Sequence, residues 1–167
     1  MFSKILIANR GEIALRVVRA ARDLGITSVA VYSEADAESL HVRHADESVC
    51  IGPPMSARSY LNIEAIVAAA RKAGAEAVHP GYGYLAENAD FARACEDADL
   101  VFIGPTPRNL DLAGDKIEAK RLIHEAGVPI VPSSPGPLRS IEEAVVAFAS
   151  VRTRMSCAKS SPWPGRR

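Results

Sequence analysis

Residues 4–14, Lys4-Ile5-Leu6-Ile7-Ala8-Asn9-Arg10-Gly11-Glu12-Ile13-Ala14, decide the fold of this chain. The first five of them form a short apolar run that is typical of a strand buried on both faces. From Glu12 to Ala21 apolar residues recur at helical spacing, and Gly25 has the usual position of a helix C-terminal glycine. Residues 28–32 predict the next strand. The segment is therefore predicted to be a β-α-β unit.

The same alternation continues through the next seventy residues or so. It predicts strands at 49–51, 77–79 and 100–103, and helices at 63–73 and from an N-cap at Asn88 to Ala98. Strands that alternate with such helices indicate an α/β fold with a parallel sheet, helices on both faces and right-handed crossovers. Ligands of such sheets lie beyond the carboxyl ends of the strands, so the segments directly after each strand are the candidate site.

The pattern changes after residue 104. A helix is predicted from Lys116 to Ala126, an extended segment at 128–132, a hinge at 133–137, and a capping box at Ser140 that opens a helix toward Ala149. Residues 151–167 show no helical or strand period and hold five basic and no acidic residues, which leaves residues 1–150 with a net charge of −5. This tail is predicted to be disordered, because its few basic and stacking residues argue against a nucleic-acid-binding segment.

Composition excludes several classes of protein. With 167 residues, 48% of them apolar, the chain suits one globular domain or part of a larger one. No apolar run approaches the roughly 20 residues of a membrane helix, and the first residues lack a signal-peptide pattern, so a cytoplasmic protein is expected. The three cysteines, Cys50, Cys95 and Cys157, form no C-x-x-C and are interpreted as reduced structural thiols.

The turn after the first strand contains one glycine, Gly11, which disfavours a classical dinucleotide site there. Asn9 and Arg10 either cap the helix and pair with a carboxylate or contact a ligand directly. Residues 81–86, Gly-Tyr-Gly-Tyr-Leu-Ala, formally match G-x-G-x-x-A. Pro80 and the crowding tyrosines favour the alternative, in which tight turns pack the tyrosines and His79 over the sheet edge.

Other polar groups have a simpler interpretation. His41 and His44 have no third ligand nearby in sequence, so they are interpreted as surface histidines rather than a metal site. Glu96, Asp97 and Asp99 are interpreted as a solvated helix end. Lys116 begins a helix, where it is either a solvated residue or a point charge for a nucleotide phosphate that the helix dipole assists.

Several blocks of this sequence together resemble one family. They are residues 4–14, Ala45-Asp46-Glu47, Ser59-Tyr60-Leu61-Asn62, His79-Pro80-Gly81-Tyr82-Gly83-Tyr84-Leu85-Ala86-Glu87-Asn88, Phe102-Ile103-Gly104-Pro105 and Gly114-Asp115-Lys116. In order and spacing these blocks strongly resemble the N-terminal domain of biotin carboxylase, a component of acetyl-CoA, propionyl-CoA and pyruvate carboxylases. The resemblance extends over about residues 1–150.

The resemblance implies a Rossmann-like pre-ATP-grasp domain at 1–115 and the start of an ATP-grasp region at 116–150, followed by a non-family tail at 151–167. Enzymes of this family are C–N ligases that use ATP and bicarbonate to form carboxyphosphate and then carboxylate carrier-bound biotin, with Mg²⁺ or Mn²⁺ on the phosphates. Lys116 matches the family's ATP-contacting lysine. The resemblance places no catalytic residue and no metal ligand in this chain.

The implied partners are the biotin carboxyl carrier domain, a carboxyltransferase and a second subunit in a homodimer, with no nucleic acid and no membrane. A second ATP lysine and a Gly-rich lid are missing after residue 150, and Lys159 matches nothing around that position. A truncated or frameshifted biotin carboxylase, inactive alone, is therefore expected. The alternatives are a dimerisation module that uses Arg16, Arg19 and Asp23, or the equivalent domain of another ATP-grasp ligase.

Overall fold

The computed structural model describes residues 1–131, 134, 136 and 138–158, and for residues 116 and 150–158 it describes the backbone alone. The chain divides into two compact units, with the division between Asp111 and Leu112.

The first unit is built on a sheet of five parallel strands in the order β3-β2-β1-β4-β5, which confirms the predicted α/β fold with a parallel sheet. Its strands and helices are β1 (Lys4–Ile7), α1 (Gly11–Asp23), β2 (Thr27–Ser33), α2 (Leu40–His44), β3 (Glu47–Gly52), α3 (Ile63–Ala73), β4 (Ala77–His79), α4 (Ala89–Asp97) and β5 (Val101–Phe102). Two short 3₁₀ turns lie at Glu34–Asp36 and Ser56–Arg58.

The core lies on both faces of the sheet. Leu6 of β1 and Val78 of β4 pack with Ile66 of α3 and Phe91 of α4 on one face. Ile5 and Ile7, the alternate residues of β1, pack with side chains of α1 on the other face. Because successive side chains of a strand point to opposite faces, a run of apolar residues such as Ile5-Leu6-Ile7 supplies both layers at once.

Helix boundaries follow local signals where those signals are strong. The Asn88 side chain accepts a hydrogen bond from Phe91 N at 2.8 Å, so the predicted N-cap of α4 is confirmed. Asn62 caps α3 in the same way through Ala65 N at 3.1 Å. Gly74 ends α3 with φ +66°, a left-handed conformation that glycine adopts without steric cost.

Among the residues that the structure describes, two helices were absent from the sequence prediction. One is α2, a single turn that lacks an apolar stripe. The other is α5 (Pro107–Gly114), which begins at a proline in the first helical position, while Thr106 Oγ accepts from Asn109 N at 3.3 Å. The pair Thr106-Pro107 is a helix-start signal from which α5 could have been predicted. Arg93 of α4 forms an ion pair with Asp111 of α5.

The second unit contains α6 (Lys116–Glu125) and α7 (Ile141–Ala158). Ser140 Oγ accepts from Glu143 N at 3.2 Å, but the Glu143 carboxylate accepts from Arg139 N at 2.8 Å, so only half of the predicted capping box forms. The predicted end near Ala149 is wrong, as is the expectation that residues 151–158 lack helical structure. No glycine or proline interrupts residues 141–158, so nothing in the sequence stops the helix there.

Two predictions for this unit fall partly or wholly outside the described residues. Of the extended segment predicted at 128–132, residues 128–131 are described and form no strand. Most of the predicted hinge at 133–137 and all of residues 159–167, with Lys159, lie outside the described residues.

Candidate functional site

The candidate site lies at the carboxyl ends of β1, β2 and β4. Asn9, the second residue after β1, is completely buried. Its Nδ2 donates to the carbonyl oxygens of Pro80 at 2.8 Å and Tyr82 at 3.0 Å, and its Oδ1 accepts from Arg10 N at 2.9 Å. The Asn9 amide therefore ties the turn that follows β4 to the start of α1.

Gly81 allows this turn to lie close to Asn9. Its φ is +66°, and a Cβ at this position would lie 2.7 Å from Asn9 Nδ2 and 2.8 Å from Ile13 Cγ2. The His79 ring accepts from Gly81 N through Nδ1 at 3.0 Å. Gly83 also has a left-handed φ, +69°, but a Cβ there would meet no atom within 4 Å. The predicted tight turns at residues 81–86 are present.

Arg10 pairs with a carboxylate, as one of the two interpretations of the sequence predicted. Its guanidinium forms an ion pair with Asp36, which follows β2. Asp36 Oδ2 also accepts from Tyr60 Oη at 2.8 Å and from Ser33 Oγ at 3.0 Å. Burial acts to raise the pKa of Asp36, but these hydrogen bonds, with that of Arg10 first among them, outweigh it and hold the pKa below its ordinary value.

Tyr60 is fully buried beneath Arg10 and beside Tyr84. The Arg10 guanidinium carbon lies 5.7 Å from the centroid of the Tyr60 ring, and the rings of Tyr60 and Tyr84 lie 5.3 Å apart between centroids. Tyr60 Oη also accepts from Ser33 N at 3.0 Å. Burial raises the pKa of Tyr60 to about 12. The hydroxyl therefore stays protonated at neutral pH and can donate to Asp36.

Asn9, Arg10, Asp36, Tyr60 and Tyr84 are hereafter the carboxyl-edge cluster. Hydrogen bonds to Asp36 and to Tyr84 raise the pKa of Arg10. The cluster joins one cation to one anion. Its one hydroxyl–carboxylate pair, Tyr60 with Asp36, is buried and the tyrosine pKa is raised, so the arrangement suits a structural support better than a reaction centre. Sequence reasoning missed Asp36, because nothing local marks a residue whose partners lie 24 and 26 positions away.

The interpretation of His41 as a surface residue is wrong, whereas His44 is exposed. His41 is completely buried, and its Nε2 lies 3.3 Å from the carbonyl oxygen of Val31. Its Nδ1 has no hydrogen-bond partner among the described residues. The reason is that α2 packs against α1 and β2, which turns His41 inward and leaves Leu40 exposed. Burial lowers the pKa of His41.

Lys116 is the first residue of α6, and Asp115 caps that helix by accepting from Ile117 N at 2.9 Å and Glu118 N at 3.1 Å. The side chain of Lys116 lies outside the described part of the structure. Lys116 belongs to the second unit and the carboxyl-edge cluster to the first. Its ATP contact thus stays a prediction.

The other polar groups give no further site in the described part of the chain. No group of three or more His, Cys, Asp or Glu side chains there is placed to hold a metal ion. Cys50 and Cys95 are free thiols, one exposed and one buried, and burial raises the pKa of Cys95 to about 11. Glu96, Asp97 and Asp99 are exposed, as predicted. None of the helices searched is long and apolar enough to span a membrane.

Comparison with known proteins identifies the family. Residues 1–110 match the sequence profile of the biotin carboxylase N-terminal domain. The chain belongs to this family. The predicted resemblance to biotin carboxylase is thereby confirmed, in preference to the equivalent domain of another ATP-grasp ligase.

Relatives and solved structures agree with this assignment. The chain is 57% identical over 149 residues to biotin carboxylase from Pseudomonas aeruginosa, which covers 89% of this chain and 33% of that protein. It superposes on the biotin carboxylase–βγ-ATP complex from Campylobacter jejuni with a TM-score of 0.86 and 46% identity, over 90% of this chain and 34% of the other.

A third match is the biotin carboxylase domain dimer of Hydrogenobacter thermophilus 2-oxoglutarate carboxylase, solved with MgADP, ADP and bicarbonate. Its TM-score is 0.81 and its identity 48%, over 97% of this chain and 34% of that one. The chain thus spans about a third of the length of the relatives it matches.

Substituting the two glycines of the 81–83 turn tests the tie made by Asn9. Gly83→Ala is expected to cost about 1–2 kcal/mol in the free energy of unfolding, the penalty of a left-handed alanine. Gly81→Ala carries the same penalty and also displaces the Asn9 amide from its buried hydrogen bonds, for about 1–3 kcal/mol more. Urea unfolding of both variants measures the difference. Equal losses would show that the Asn9 contact contributes nothing.

The buried histidine predicts an acid-sensitive fold. Because burial lowers the pKa of His41 in the folded chain, the unfolded chain binds protons more readily, and stability falls as pH drops from about 7 to about 5. His41→Met is expected to flatten this fall in the thermal midpoint. His79, whose pKa burial also lowers, accounts for a residual slope. His44→Met is the control. A wild-type slope in His41→Met would contradict the prediction.

Proposed function

We propose that this chain supplies the N-terminal part of a biotin carboxylase, the ligase that uses ATP and bicarbonate to carboxylate carrier-bound biotin. Residues 1–115 act as the pre-ATP-grasp domain, residues 116–150 begin the ATP-grasp region, and residues 151–167 lie beyond the family pattern. The observation that carries the proposal is the superposition on the βγ-ATP complex, which extends over 90% of this chain at 46% identity.

Within such an enzyme the first unit acts as a support for the site. The Asn9 amide and the Arg10–Asp36 ion pair fix the 80–84 turn at the carboxyl edge of the sheet, where ligands of open α/β sheets lie. A turn fixed by buried hydrogen bonds loses little entropy when a substrate packs against it. In this proposal the preorganised 80–84 turn forms one side of the substrate site of the whole enzyme.

Lys116 is proposed as the ATP-contacting residue. An ammonium group at the first position of α6 attracts a phosphate, and the N-terminal dipole of the helix acts in the same direction. The metal that accompanies ATP has no set of ligands among the described residues, so it is assigned to the nucleotide and to the rest of the enzyme. The biotin carrier and carboxyltransferase are proposed partners of that whole enzyme.

Alone, the chain is proposed to be inactive. Contacts from one lysine and one helix end correspond to an affinity for ATP of about millimolar or weaker, near 4 kcal/mol. Mg-ATP at about 0.1 mM, a tenth or less of that dissociation constant, is therefore expected to leave the thermal midpoint of the chain unchanged, because RT ln(1 + [L]/Kd) is then below about 0.1 kcal/mol. A rise in the midpoint at this concentration would contradict the expected weak binding.

A chimera tests the proposal directly. Residues 1–149 of this chain replace the matching part of the Pseudomonas aeruginosa enzyme, and bicarbonate-dependent ATP hydrolysis and biotin carboxylation are measured. Both activities are expected to persist. Lys116→Met is expected to raise the KM for ATP about tenfold or more, since a charged hydrogen bond contributes about 1.5–3 kcal/mol. Lys120→Met, at an exposed position of the same helix, is the matched control. A folded but inactive chimera would refute the proposal.

A second candidate function is dimerisation through α1. Arg16, Arg19 and Asp23 are exposed on this helix, and none of the ion pairs formed by the described residues involves them. The related domain from Hydrogenobacter thermophilus is a dimer. In a two-fold contact, Arg19 of one protomer would face Asp23 of the other.

A charge exchange tests this contact by sedimentation of the purified chain. Arg19→Asp places two acids together and is expected to shift the chain to monomer, because like charges in an interface cost several kcal/mol. The double variant Arg19→Asp/Asp23→Arg restores the pairing and the dimer. Arg71→Asp, an exposed position on α3, is the control. If the wild-type chain is a monomer, or the double variant fails to recover the dimer, dimerisation through α1 is wrong.

A further inference from the structure

A strained backbone lies at the end of the 80–84 turn. Tyr84 has φ +45°, in the left-handed region that glycine adopts freely and that other residues adopt at a steric cost. Gly81 and Gly83, the other residues of the turn with a positive φ, carry no such cost. A tyrosine in this conformation persists only where its surroundings hold it, and such residues concentrate at functional sites.

The hydrogen bond that spans Tyr84 defines the conformation that this residue has to keep. Ala86 N donates to the carbonyl oxygen of Gly83 at 2.9 Å, so Tyr84 is the second residue of a β-turn. When φ is positive at that position, the residue is usually glycine, asparagine or aspartate. Leu85, the next residue, is buried in the core cluster that contains Tyr60. Tyr84 therefore lies where the chain passes from the site into the core.

The Tyr84 side chain is held from two sides. Its ring centroid lies 5.3 Å from that of Tyr60, within the range in which aromatic rings attract each other. The Arg10 guanidinium donates to the Tyr84 hydroxyl. Tyr60 and Arg10 are in turn fixed by Asp36. Because the left-handed backbone persists, these contacts outweigh its steric cost.

Asn9 fixes only the first half of the turn. Its amide donates to carbonyl oxygens no further along the turn than that of Tyr82. Tyr84 anchors the second half through its ring and hydroxyl. The Tyr82 side chain, which is 66% exposed, lies between the two anchors. Loss of either anchor therefore allows the intervening residues to adopt other conformations.

We infer that Tyr84 is a positioning residue: the packing of its side chain on Tyr60 and Arg10 keeps the 80–84 turn in the conformation that a substrate packs against. The inference rests on the proposed function, in which this turn forms one side of the substrate site. The role of Tyr84 is indirect, since it acts through the turn. Without the ring, substrate binding has to order the turn, which weakens binding and leaves the chemical step unchanged.

Three variants separate the ring from the backbone. Tyr84→Phe keeps the ring and loses only the hydroxyl. Tyr84→Ala loses the ring but keeps the steric cost of a left-handed residue, whereas Tyr84→Gly loses both. Asp99→Ala is the matched control. Asp99 is the other non-glycine residue with a positive φ in the described part of the chain, and it precedes β5, at the opposite edge of the sheet from the turn.

Hydrogen exchange of the Ala86 amide, measured by NMR on the purified chain, reports how firmly the turn is held. Exchange is expected to accelerate about fivefold to thirtyfold in Tyr84→Ala, the factor that corresponds to a left-handed residue without support. Tyr84→Gly is expected to lie between Tyr84→Ala and the wild type. Tyr84→Phe is expected to stay within about threefold of the wild type, because the lost hydrogen bond is largely replaced by water.

Steady-state kinetics of the chimera defined above test the positioning role. Tyr84→Ala is expected to raise the KM for at least one of ATP, bicarbonate and biotin about fivefold or more, with kcat within about twofold of the unsubstituted chimera. Tyr84→Phe and Asp99→Ala are expected to keep the unsubstituted values. A merely structural role would lower the thermal midpoints of Tyr84→Ala and Asp99→Ala alike and would change neither Ala86 exchange nor any KM.

Wild-type exchange at Ala86 in Tyr84→Ala, three unchanged KM values, or a fall in kcat alone would each overturn the inference and leave the proposed function intact. If Tyr84→Ala does not fold, Tyr84→Gly decides, and wild-type exchange with wild-type KM values in that variant would overturn the inference. An inactive unsubstituted chimera would refute the proposed function, while accelerated exchange in the purified chain would still show that Tyr84 holds the turn.

Discussion

The arrangement of the site depends on one buried side chain, the amide of Asn9. Its three hydrogen bonds connect the end of β1, the first turn of α1 and the segment that follows β4, which lies more than seventy residues later in the chain. A buried amide without partners costs several kcal/mol, so these bonds are a requirement of the fold as much as a contribution to it. Gly81 is the matching constraint, since any side chain there would occupy the space of the amide.

Around Asn9, charge and aromatic packing act together. Arg10 neutralises the buried Asp36 and lies over the Tyr60 ring, and Tyr60 donates to the same carboxylate. Removing any one member would leave another with an unpaired charge or an unsatisfied hydrogen bond. These contacts connect four segments: the residues after β1, the residues after β2, the residues before α3, and the 80–84 turn. Their relative positions are therefore fixed by hydrogen bonds and an ion pair although none of them is a helix or strand.

The sequence alone predicted those features that depend on local chemistry. Helix α3 and strand β4 have the predicted bounds, because Asn62, Gly74 and the apolar periods around them are short-range signals. The interior position of His41, by contrast, follows from the way α2 packs on its neighbours, and the Asp36 contacts join distant segments. Neither fact leaves a mark in a single sequence. The strand order β3-β2-β1-β4-β5 was likewise inaccessible, because hydrophobic periodicity does not specify which strands are neighbours.

The separation of Asn9 from its acceptors also has a consequence for biosynthesis. Residue 9 leaves the ribosome long before Pro80 and Tyr82, which are 71 and 73 positions away. Until β4 joins the sheet, water has to satisfy the Asn9 amide, and the growing chain can form only β1, β2 and β3 with their local contacts. Pairing of β4 with β1 and burial of the Asn9 amide are therefore late, coupled events. Nascent chains that end before Tyr82 lack these acceptors, and the edge of β1 that β4 covers in the complete domain remains exposed.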